Sequence, residues 1–193
     1  MNKFFFTIFG FIFFVNANAQ DSLALVKNAN EVYRFTMEKK FDSLIETTYP
    51  KLFDIVPKSQ LIELTKSAFE ENDMLQIEIL DQLPEFKFGN IVKLNEQFVC
   101  RVEHSLKLRL IFKEKIEENN VALYIDEFKK SMETDNVFFD EKTNAFSISK
   151  RSKMVALNDK YTKGVWKFIN YTKDEMLWKV IDPEIQSIME GEE

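Results

Sequence analysis

One cysteine and one histidine among 193 residues leave little material for metal or redox chemistry. Cys100 cannot close an intrachain disulfide, and a single thiol excludes zinc ribbons, iron–sulfur clusters and CxxC redox pairs. A solitary His104 cannot assemble the common His-based metal sites, so neither a metal nor a cofactor is expected. Glycine and proline are scarce too, at four each. Gly10, Gly89, Gly164 and Gly191 stand singly, which excludes a Walker loop and a dinucleotide-binding turn, and there is no GxSxG elbow. Strong basic clusters are missing from a chain of net charge −6, which argues against nucleic acid or an anionic membrane as partner. Lys150, Arg151 and Lys153 read as a solvated strand edge. No repeat, Pro-rich linker or change of composition follows residue 20, so a single domain over residues 20–193 is expected.

What the chain does have is unevenly spread. Seven of its twenty Phe lie between Phe4 and Phe14. Lys3 precedes an apolar run from Phe4 to Val15, and Ala17-Asn18-Ala19 follows it, the order of a secretory signal peptide cleaved after Ala19. The run is shorter than the about 20 residues a membrane span needs. Export to the periplasm or the extracellular space, with no membrane association after cleavage, is the expectation. The remaining chain is long enough to bury about 70% of its unfolded surface and so to form a core without metals or disulfides.

Helices are expected first and strands later. Asp21 or Ser22 is placed to cap a helix whose Leu23, Val26, Ala29, Tyr33 and Met37 recur at helical spacing. Phe41 to Tyr49 reads as a second helix, ended by Pro50, and about Ser59 to Glu71 as a third, with Leu61, Leu64 and Thr65 on one side. Leu75, Ile77 and Ile79 then alternate with polar residues. The clearest strand runs through Cys100, Val102, His104, Leu106, Leu108, Leu110 and Phe112, with Arg101, Glu103, Lys107 and Arg109 on its other face. Val121, Tyr124, Ile125, Phe128 and Met132 return to helical spacing after a cap at Asn119 or Asn120. Val137 to Phe139 and Ala145 to Leu157 form a hairpin, Val165 to Tyr171 and Met176 to Ile181 another, and Asp182-Pro183 opens a terminal helix. The sum is an α+β domain with N-terminal helices packed on a curved antiparallel sheet.

Within this order, the segment Phe41 to Leu52 with its Thr48-Tyr49-Pro50-Lys51-Leu52, the long alternating strand, and the closing Trp166-Lys167-Phe168 and Trp178-Lys179-Val180 resemble the NTF2-like (cystatin-like cone) superfamily, in particular exported bacterial members of no assigned activity. The resemblance covers nearly all of residues 22 to 182, and the helix near Asn120 to Thr134 departs from the minimal cone. It implies a cone interior, which in that superfamily hosts isomerases, dehydratases and hydrolases built on inward Asp, Tyr or His. No inward Asp is evident here, which leaves a steroid-isomerase-like dyad without support.

Two sets of residues are candidates for a site. His104 is the one polar side chain on the apolar side of the longest strand; burial would keep its ring neutral and able to accept a proton or bind a ligand, and otherwise it is a core histidine satisfied by a carbonyl or a tyrosine. Trp166 and Phe168 share one strand face and Trp178 stands on its partner, as a ligand-pocket lining or as cross-strand core packing. The leading expectation is a non-enzymatic exported binding or interaction domain holding a small amphipathic ligand or a protein partner, with His104, Trp166, Phe168 and Trp178 around the ligand. The alternative is a metal-independent lyase, isomerase or hydrolase with His104 as general base. A third possibility, an accessory protein binding through its helices, predicts exposed apolar residues on the first or third helix. The charged face of the long strand argues for a monomer or a weak polar dimer.

Overall fold

The structure, a computed structural model, describes residues 16–70, 74–80, 84–171 and 179–190. The fold is α+β, an open antiparallel sheet with its helices leading at the N-terminal end. Two long strands, β4 (Gln97–Phe112) and β6 (Ala145–Asn158), form its spine, paired from Phe98↔Asn158 to Ile111↔Ala145. Three shorter strands share the other edge of β4: β1 (Leu75–Ile79), β2 (Phe86–Phe88) and β3 (Val92–Leu94). The outer edge of β6 carries β5 (Val137–Asp140) near one end and β7 (Lys167–Asn170) near the other. β2 and β3 are too short to display a period of two, and this is why the sequence reading passes over them.

The register puts even-numbered residues of β4 and β6 on one face. Two separate apolar cores form there. Helix α1 (Asn16–Met37) seats Leu25 and Ala29 on Cys100, Val102, Met154, Ala156, Trp166 and Phe168. Helix α4 (Glu118–Met132) lays Val121, Tyr124, Ile125, Phe128 and Met132 over Leu108, Leu110, Phe146 and Ile148. The α4 stripe is the one the sequence predicts. Helix α1 differs, because its buried residues are Leu25 and Ala29, with Val32 partly buried in the same stripe, while Leu23 and Val26 are exposed.

The buried stripe of α1 therefore runs through Leu25, Ala29 and Val32. Both stripes have helical spacing, and Trp166 decides between them: its indole Nε1 donates to the Asp21 carbonyl at 3.1 Å, and Asn28 Nδ2 donates to the Trp166 carbonyl at 3.2 Å. The helix already runs at Asn16, so Asp21 and Ser22 lie inside it and cap nothing.

Helix α2 (Phe41–Glu46) is shorter than expected. The chain leaves it to pair with β7, where Tyr49 N donates to the Phe168 carbonyl and Phe168 N to the Thr47 carbonyl, and Pro50 holds Tyr49 extended before a 3-10 turn, Pro50–Asp54. Helix α3 (Lys58–Phe69) keeps Leu61 and Thr65 half-buried but leaves Leu64 exposed. At α4 the N-cap is Glu117, which makes no side-chain capping bond, and Asn119 and Asn120 fall within the helix.

The odd-numbered face is not uniformly polar, a second departure from the alternation. Val99, Val155, Leu157 and Ile169 are buried there beneath Tyr49 and helix α5 (Pro183–Glu190), which contributes Ile185 and Met189. Tyr49 donates its hydroxyl to Asp159 at 2.7 Å; burial first, and then this bond, push the phenol well above its ordinary range and keep it a donor. Further along the same face the charged residues pair instead: Arg101 with Glu103 at 3.5 Å, Arg109 with Glu78 at 3.7 Å and Arg151 with Glu103 at 3.7 Å. Residues 172–178, which include the first half of the partner strand expected at Met176 to Ile181, lie outside the described residues, and 179–181 form a turn rather than strand.

Candidate functional site

The two cores on the even face do not meet. Between Val102 and Met154 under α1 and Leu108 and Ile148 under α4, the spine presents His104 and Leu106 on β4 and Lys150 and Ser152 on β6. A groove of about 1090 Å³ opens over these four residues. Ala29, Val32 and Tyr33 of α1, Ile45 of α2 and Leu61, Thr65 and Phe69 of α3 wall it, and Ile79, Phe86 and Phe168 extend its apolar floor. Such a volume lies just above the usual range of small-molecule sites. The groove continues past Lys153 and Tyr171 to Glu190 at the end of α5.

His104 is half-buried on the groove wall, opposite Ser152 and Phe86 in the sheet, with the Phe86 ring centroid 6.1 Å from its own. Burial holds its pKa below the ordinary 6.5, and the Arg151 and Lys150 charges push it the same way, against a hydrogen bond to the Ser105 carbonyl. That bond spans 3.3 Å from Nδ1. A carbonyl only accepts, so the bond requires the proton on Nδ1 and leaves the lone pair on Nε2. The ring is thus a neutral acceptor at pH 7.

The other sequence candidates separate. Phe168 is buried and lines the groove. Trp166, at 1% exposure, is a core residue instead: its ring fills the space between α1 and the spine and is not part of the groove wall. Trp178 lies outside the described residues. Cys100 is fully buried with Sγ 3.3 Å from the Gly89 carbonyl, and four residues of extended strand, about 13 Å, separate it from His104. Among the described residues no group of three or more His, Cys, Asp and Glu could hold a metal, and no helix is long and apolar enough to cross a membrane. Leu23 and Val26 on α1 and Leu64 on α3 are exposed.

Lys150 is the groove residue that the sequence reading places differently. Lys150, Arg151 and Lys153 do lie on an edge of β6, in the interval between β5 and β7. Lys150, however, stands opposite Leu106 and so on the apolar face, half-buried. The signal was present, since Phe146, Ile148, Met154 and Ala156 carry the same parity. No protein-family model matches this chain, and no curated protein matches its sequence.

Proposed function

We propose that this chain is an exported, non-enzymatic binding domain of the cystatin-like cone type, with residues 1–19 as its secretory signal, and that it holds a small amphipathic ligand in the groove over His104. One observation carries the reading: the even face, apolar at both ends, is left open at its middle, where polar and apolar groups converge. A protein that needed this face only for stability would close it, because each square ångström of apolar surface left wet forgoes about 25 cal/mol. Ligand sites are mostly apolar concavities with a few polar groups that fix orientation, which is the composition found here.

A thermal-shift screen of lipids and metabolites tests it. At least one compound is expected to raise the melting temperature in a concentration-dependent way, and Thr65→Trp, which fills the groove from α3, is expected to abolish that rise. A screen with no positive compound, or a rise that Thr65→Trp leaves intact, rejects the reading.

The neutral ring of His104 favours one second reading, a metal-independent lyase, isomerase or hydrolase with Nε2 as general base. It requires turnover of a groove ligand that His104→Ala removes while binding remains.

A further inference from the structure

We infer that the groove ligand is an anionic amphiphile whose head group pairs with Lys150 and whose apolar tail lies along Leu106, Phe86 and Phe69. The inference deepens the proposed function and rests on it. Its starting point is an asymmetry of charge between the two faces of the sheet. On the odd face every arginine of the spine has a carboxylate within 4 Å: Arg101 and Arg151 reach Glu103, and Arg109 reaches Glu78. On the even face Lys150 is half-buried beside Leu106, and no carboxylate of the described residues lies within ion-pair distance of it. A lysine whose stem lies along an apolar wall, with no carboxylate of the described residues beside it, is free to pair with an anion that enters the groove. An anionic head group in the groove would supply that counter-charge.

The surroundings of Lys150 fit a monomeric anion with a tail. Ser152, two residues along β6 on the same face, offers a hydroxyl donor opposite His104. Burial disfavours the charged form of His104, and an anion placed between it and Lys150 would favour the protonated ring, adding a second donor. Glu133 and Glu190 also border the groove, but Glu190 already accepts from Gln186 at 2.8 Å and lies at the far end, on α5. Beyond the polar corner the wall is apolar, as a hydrocarbon tail requires. A small polar anion would leave that wall wet, and an uncharged amphiphile would leave Lys150 unpaired.

The test uses dodecanoate, dodecanol and dodecyltrimethylammonium as probes below their micelle concentrations, with binding to the purified protein followed by calorimetry. Dodecanoate is expected to bind about tenfold more tightly than dodecanol, the size of one charge-assisted hydrogen bond, and the cationic probe more weakly than either. Lys150→Met is expected to lower dodecanoate affinity about tenfold while leaving dodecanol unchanged, which also reports that the variant is folded, and Lys150→Arg is expected to retain the preference. Equal affinity for dodecanoate and dodecanol, or a preference that survives Lys150→Met, overturns the inference while leaving the groove as a binding site. Binding of none of the three probes overturns the groove reading itself.

Discussion

At the scale of single residues, His104 couples the groove to pH. The unfolded chain holds the imidazole proton with its ordinary pKa of 6.5, and the folded chain holds it less tightly, because burial and the Lys150 and Arg151 charges oppose it. The contribution to stability is therefore complete above 6.5 and is lost as pH falls through the lower, folded value. Wild-type protein is expected to lose more melting temperature between about pH 7 and pH 5 than His104→Gln, measured by thermal denaturation in low salt. Equal losses would mean that the ring is fully hydrated. Position 104 was legible as an inward polar residue because strand alternation is strictly local; its place on a groove wall was not, because that depends on helices distant in sequence.

Elements are joined here by a few polar side chains, and Asn144 is the clearest. It ends the β5–β6 turn at φ 49°, a left-handed conformation that Asn tolerates better than most residues. Its amide then leaves the hairpin: Nδ2 donates to the Phe112 and Glu114 carbonyls at 2.7 and 2.8 Å, and Oδ1 accepts from Ile116 N at 3.1 Å. The segment between β4 and α4 is thereby fixed, and with it the position of α4 over the sheet. Asn144→Ala is expected to destabilise by about 2–3 kcal/mol through lost bonds and backbone strain, and Asn144→Gly by about 1 kcal/mol less because glycine keeps the left-handed turn. Urea unfolding of the two variants separates the contributions.

For the whole molecule, Trp166 has the widest reach. It lies between α1 and the two core strands at 1% exposure, and its indole and carbonyl both bond to α1. Trp166→Ala is expected to cost about 3–5 kcal/mol and to reduce hydrogen-exchange protection in α1 more than in α4, since α4 packs on a separate core. A uniform loss of protection would instead mean that the two cores unfold as one. The same separation of cores leaves the middle of the even face open, so the groove is a property of the assembled molecule and of no single element.

Periodicity in the chain settled the type of its longer elements: the even alternation from Cys100 to Phe112, the hairpin strand from Ala145, and the Val121-to-Met132 stripe all follow from side-chain spacing along a local axis. Long-range geometry decided the rest. Two stripes of α1 satisfy helical spacing, and only the Trp166 bonds select the buried one; the charge of Lys150 reads as solvated until its register with Leu106 places it on the apolar face; and Val99 and Leu157 lose contact with water because Tyr49 and α5 are brought over them. Periodicity tells which side chains share a face, whereas burial depends on what the rest of the chain brings to that face, and that information is not local.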